Sequence, residues 1–141
     1  MSNSMRARSL ATVAVVALWL LLPTAHASAA SKLAVSDSDN NRSIALKLNT
    51  QVSISLNSVF WLDATTTNLK LIKDKAQKTI APGPTAPPGC QHPGTGCGSS
   101  TWVFKATKRG KASFTVSRLS CGEALRCSPE NSSFLVRFTV K

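Results

Sequence analysis

Apolar and polar side chains alternate one by one, in short runs, through the last two-thirds of this 141-residue chain. Ile44, Leu46 and Leu48 alternate with Ala45 and Lys47. Val52, Ile54 and Leu56 alternate with Ser53 and Ser55, and Asn49-Thr50 makes the turn between the two runs. Side chains along a strand point to opposite faces in turn, so each run has one apolar and one mostly polar face. Val59 to Leu62 adds a short aromatic strand, and Leu69 to Ile72 a fourth candidate. The code is clearest near the end. Trp102, Phe104 and Ala106 share a face, then Ala112, Phe114 and Val116, then Phe134, Val136, Phe138 and Val140. Arg109-Gly110 supplies a corner where glycine can take a positive φ. No segment after the leader has a helical period. Seven short strands in about 100 residues predict an all-β fold, an immunoglobulin-like β-sandwich.

The start of the chain follows a different code. Arg6 and Arg8 precede Leu10 to Leu22, an apolar stretch interrupted only by Thr12. Pro23 follows, and then the small residues Ala25 and Ala27. This is the layout of a secretory signal peptide over residues 1–27, cleaved after Ala27 or, at a second acceptable site, after Ala29. Thirteen residues rise only about 20 Å as a helix, short of a hydrocarbon core of about 30 Å. The expectation is therefore export without stable membrane insertion, to the extracellular space or the cell envelope. Residues 28–42, polar from Ser36 to Arg42, read as a flexible mature N-terminus, and 43–141 as the sandwich domain.

All four cysteines lie beyond the leader, at 90, 97, 121 and 127. An even count in an oxidising compartment reads as two disulfides. Three connectivities exist, and the short spacings favour Cys90–Cys97 and Cys121–Cys127, each closing its own loop. A metal site is a poor rival, because these spacings are not those of a zinc finger and His92 is the single histidine after the leader. The first pair clamps half of Thr79 to Ser100, a stretch holding five of the seven prolines and five of the seven glycines. The second clamps the loop before the last strand, which contains Glu123, Leu125 and Arg126. Loops made rigid in this way lose their ordering entropy before a partner arrives, which suits a binding surface; the equal alternative is that both bonds simply stabilise a small secreted domain.

Cleavage removes two arginines and leaves fifteen basic residues against six acidic ones, a net charge of +9. Such a chain is attracted to polyanions, an anionic cell-surface polymer among them. The densest run, Lys70, Lys73, Lys75 and Lys78, contains Asp74 and no aromatic, so it reads as solvated surface. Nucleic-acid readers pair basic grooves with stacking rings, and nucleic acid is not an expected partner. Catalysis is not expected either. A lone histidine gives no Ser-His-Asp or Cys-His pair, paired carboxylates are scarce, and no Gly-rich phosphate loop is present. No cofactor is implied.

The run from Ser99 to Arg118, Ser-Ser-Thr-Trp-Val-Phe-Lys-Ala-Thr-Lys-Arg-Gly-Lys-Ala-Ser-Phe-Thr-Val-Ser-Arg, resembles the core of chagasin-like cysteine-protease inhibitors. In that family a strand ending in Phe-Lys-Ala meets a Gly corner, and the next strand leads into an arginine-bearing loop. Leu48 to Leu56 resembles the family's paired opening strands, and Phe134 to Val140 its closing strand. The resemblance implies three loops at one end of the sandwich that wedge into the cleft of a papain-like cysteine protease. The first loop corresponds to Asn57-Ser58-Val59-Phe60-Trp61, which keeps the family's Asn and aromatics without its Pro-Thr-Thr-Gly centre. The second corresponds to Gly94, Gly96 and Gly98. The third is matched at Arg118, after which the Cys121 to Cys127 clamp replaces the family's Pro-Trp. Two functions are thus expected in contest: an inhibitor of a cysteine protease, or a non-inhibitory immunoglobulin-like interaction module at the cell surface.

Overall fold

A computed structural model describes residues 31–122 and 125–141. The expected leader, both cleavage sites and Glu123 lie outside the described residues. Among the described residues there are ten strands: β1 Lys32–Val35, β2 Ser43–Leu46, β3 Gln51–Asn57, β4 Thr65–Thr67, β5 Leu69–Thr79, β6 Gly98–Ala106, β7 Gly110–Ser117, β8 Ser120–Gly122, β9 Leu125–Arg126 and β10 Ser133–Val140. One sheet has the order β1-β3-β6-β5 and the other β2-β10-β7-β4. The short β8 and β9 pair as a separate ribbon.

The alternation sorts residues between core and solvent as expected. Val52 and Ile54 of β3 pair with Phe104 and Trp102 of β6, and these four are buried together with Leu56 and Ala106 on the same face. In the second sheet Ala112, Phe114 and Val116 of β7 pair with Phe138, Val136 and Phe134 of β10, again all buried. Phe114 stands where the sheets meet. Its ring lies 5.4 Å from those of Trp102 and Phe104 and 6.2 Å from that of Phe134, in each case edge to face. Such pairs add about 0.5–1.5 kcal/mol beyond the burial of their area.

Four expectations change. Residues 32–35, assigned to a flexible N-terminus, form an edge strand parallel to β3, so the sandwich begins at Lys32 rather than 43. Leu33 and Val35 alternate with Lys32 and Ala34, and Val35 is buried. Val59 to Leu62 is not a strand. Ser58 takes φ 93°, outside the extended region, and the chain folds back until the Trp61 indole donates to the Asn57 carbonyl at 2.7 Å. Leu69 to Ile72 opens an eleven-residue strand whose charged length hid its continuation to Thr79. The β2 and β3 runs do not pair with each other. β2 lies parallel to β10 and β3 beside β6, so the Asn49 turn carries the chain from one sheet to the other.

Replacing Phe114 by alanine removes the ring on which three aromatic neighbours rest. The expected loss is about 3–5 kcal/mol, read as a lower urea midpoint with an unchanged m-value.

Candidate functional site

Three connections leave the same end of the sandwich. Asn57 ends β3 opposite Ser99, Thr79 ends β5 opposite Gly98, and Ser117 ends β7 opposite Ser133. Loop 58–64, loop 80–97 and the segment 118–132 therefore emerge side by side, which the sequence could imply only by resemblance.

The first two loops are locked to each other by backbone. Ser58 N–H donates to the Gly98 carbonyl at 2.8 Å, and Val59 N–H to that of Gly96 at 3.0 Å. Gly96 has φ 65°, and a Cβ there would overlap the half-buried Phe60 ring. Gly98 has φ 144°, and a Cβ would overlap the Lys78 carbonyl. Both positions thus need glycine for space as well as for dihedral angle. Below them the buried Ser100 hydroxyl donates to the Ser58 carbonyl at 3.0 Å. From the edge strand, Gln77 donates to the Val59 carbonyl and Lys75 Nζ to the Trp61 carbonyl at 3.0 Å.

The third loop joins through Arg118. Its guanidinium lies 4.4 Å from the centroid of the Trp61 ring, and Nε donates to the Asn131 carbonyl at 2.9 Å. A cation over an indole contributes about 0.5–2 kcal/mol, more as water is excluded. Burial lowers the Arg118 pKa, and the negative charge of Asp37 opposes this. A guanidinium remains protonated at any physiological pH. Asp37 also accepts the Asn57 amide at 3.0 Å, tying the start of the first loop to the turn after β1.

Both favoured disulfides are present, Cys90–Cys97 and Cys121–Cys127. Each closes its own loop, and neither pair retains a free thiol. The second and third loops meet in a shallow groove lined by Gly94, Thr95, Cys121, Gly122 and Leu125. A second groove runs from Asn57 and Ser58 past Gly96 and Gly98 to Arg118. The structure therefore gathers Asn57, Ser58, Phe60, Gly94, Gly96, Gly98, Arg118 and Leu125 at one end. Trp61 is different. At 4% exposure it is a platform beneath Arg118, not a contact surface. Arg126 is exposed and borders a pocket with Arg118 and Leu119.

Sequence reasoning missed several participants. Asp37 falls in the stretch read as a flexible tail, Lys75 in the run read as solvated surface, and nothing in the sequence singles out Gln77. Leu119, 78% exposed, projects from the third loop beside the expected Leu125, itself 64% exposed, and Leu62 and Ile80 are exposed at the same end. An apolar residue beside a disulfide-clamped loop was the one available signal for them.

Gly96→Ala is expected to push Phe60 out and break the Val59–Gly96 bond. Stability should fall by about 1–3 kcal/mol, with faster hydrogen exchange at the Val59 amide and little change at the β7–β10 amides.

No protein-family model matches the chain, and neither does any curated protein. Among solved structures, it is similar to the cysteine protease inhibitor EhICP2 from Entamoeba histolytica. The TM-score is 0.52 at 9% identity, over 79% of this chain and 96% of that one. It is also similar to amebosin, with a TM-score of 0.49 at 13% identity, over 80% of this chain and all of the other. At such low identity the likeness to EhICP2 concerns the fold alone, and the chain has a chagasin-like fold.

Proposed function

We propose that the protein is exported and blocks a papain-like cysteine protease by lodging its three loops in the active-site cleft. The observation that carries this reading is the convergence of loops 58–64, 80–97 and 118–132 into one interlocked end. Backbone bonds hold the first loop to the second, and Arg118 stacked on Trp61 holds the third to the first. A solved structure that shares the fold is a cysteine protease inhibitor, which favours the same reading. Two disulfides suit an oxidising compartment, in keeping with the leader-like first 27 residues.

The mechanism is steric, with no covalent step. A wedge of this kind must hold its shape while water is displaced. Cross-links and backbone bonds fix its conformation beforehand, so little ordering entropy is lost on binding. Leu119 and Leu125 are the apolar contacts, burying side chains that are otherwise open to water. Asn57, Ser58, Phe60 and the three glycines bring backbone close to the cleft. Arg118 holds the third loop in register.

Titration of the oxidised protein against papain and a cathepsin-type protease tests this, with the protease activated first and the thiol then removed. Reversible inhibition competitive with substrate is expected. Leu119→Asp and Leu125→Asp should each raise the inhibition constant about tenfold or more, with unchanged melting temperature. No inhibition at micromolar protein overturns the reading.

A further inference from the structure

Away from the loop end, the outer face of the β1-β3-β6-β5 sheet carries a concentration of charge that the linear sequence hides. Strand register lines up Lys32 of β1, Gln51 of β3, Lys105 of β6 and Lys70 of β5 in one row across all four strands. At about 4.8 Å per strand, that row is about 14 Å long. Lys73 stands opposite Val103, and Lys78 opposite Ser99, on the same face. Three lysines of the basic run in β5 thus share one surface with Lys32 and Lys105, which are distant in sequence.

Their neighbours on β3 and β6 are neutral hydrogen-bonding groups: Gln51, Ser53, Ser55 and Thr101, with Ser55 and Thr101 hydroxyls 3.0 Å apart. Carboxylates lie elsewhere. Asp63 and Asp74 line a hollow at the sheet's inner edge with Leu71 and Trp102, and Asp37 and Asp39 belong to the turn after β1. Among the described residues the ion pairs are Arg42–Asp39 and Lys75–Asp63, and none involves these five lysines.

Lysines on an edge strand commonly guard against edge-to-edge association. That accounts for β5, but not for Lys105, which sits on the inner strand β6 directly opposite Lys70. Like charges placed opposite each other destabilise a sheet, and no carboxylate relieves this pair. An arrangement that costs stability and serves no edge is explained by a ligand that neutralises it.

We propose that this face is a docking surface for a linear acidic polysaccharide, held through Lys32, Lys70, Lys73, Lys78 and Lys105. An extended polymer matches a flat sheet whose charges run along β5 as well as across the strands. Hydroxyl and amide side chains between the lysines suit sugar hydroxyls. The face has no aromatic on which bases could stack, and beside the small Ala34, Val103 and Ala76 it carries one large apolar side chain, Ile72 on the edge strand, too little to anchor in a lipid surface. Charge complementarity at ranges within a Debye length of about 8–10 Å lets neighbouring lysines act together. Lys32, Lys70 and Lys105 lie at the end of the sheet away from the three loops, and Lys78 alone borders them, in the row of Asn57 and Ser99, so a polymer on the first three leaves the loops open to a protease.

The test uses the full oxidised protein and a fluorescent oligogalacturonate, with binding followed by anisotropy at several salt concentrations. Lys70→Gln/Lys73→Gln/Lys105→Gln is compared with Lys108→Gln/Lys111→Gln/Arg137→Gln, which removes equal charge from the other sheet and its turn. The first variant should bind at least tenfold more weakly, with a log–log salt slope shallower by about two to three. The second should stay within about twofold of wild type, and both should keep the native circular dichroism. Equal weakening by both variants would mean that net charge alone attracts the polymer, and it overturns the proposal. So do undetectable binding by the wild type and tighter binding to phosphatidylserine vesicles or single-stranded DNA. Protease titration of the first variant reads the loop end separately and is expected to be unchanged.

Discussion

Everything at the functional end rests on the edge-to-face cluster around Phe114. Its ring contacts Trp102 and Phe104 from the opposite sheet and Phe134 from its own. Those contacts fix the separation and relative rotation of the two sheets. The second loop joins two strands of one sheet, the third joins two strands of the other, and the first crosses from β3 to β4 between the sheets. The distance over which Arg118 must reach Trp61 is therefore set within the aromatic core, not within the loops. Protein interiors are packed densely enough to transmit small shifts, so a change at Phe114 is felt at the wedge.

The loops then solve a local problem with backbone instead of side chains. Ser58 at φ 93° leaves the extended region, a cost that non-glycine residues meet only where surrounding contacts over-determine the conformation. Here the Ser58 amide, carbonyl and hydroxyl are all engaged, by Gly98, Ser100 and Phe60 respectively. Glycine at 96 and 98 lets the second loop approach closely enough to supply two of the carbonyls that the first loop needs. The conformation depends on spacing and close approach rather than on a loop motif, which is why it survives without the Pro-Thr-Thr-Gly centre.

Where a residue's environment follows from its immediate neighbours, the sequence was legible. The buried faces of β3, β6, β7 and β10 follow from period-two alternation, and both disulfides from loop spacing. What failed to show was everything decided by distant partners. Lys32 to Val35 is too short to declare itself, and becomes a strand only because β3 offers a parallel edge. Val59 to Leu62 has strand-forming residues, yet the Trp61 indole satisfies the Asn57 carbonyl across a fold-back. β5 hid its length because an exposed edge strand with two register shifts has no clean alternation. At the site, Asp37 and Gln77 act on loop backbones 20 and 18 residues away, and no local pattern marks such a contact.

Leu119 and Leu125 present the last physical question, since a leucine left in water forgoes about 1.5–3 kcal/mol of burial. A flexible loop would recover part of that by folding the side chains inward. The Cys121–Cys127 bond restricts this collapse, as does the β8–β9 pairing of Ser120 with Arg126 and Gly122 with Leu125. Arg118 adds a third constraint by anchoring the start of the segment to Trp61 and Asn131. The clamp thus does more than shorten the unfolded chain's freedom. It keeps apolar side chains outward against their own solvation preference, and the stabilisation withheld from the fold remains available to a surface that covers them.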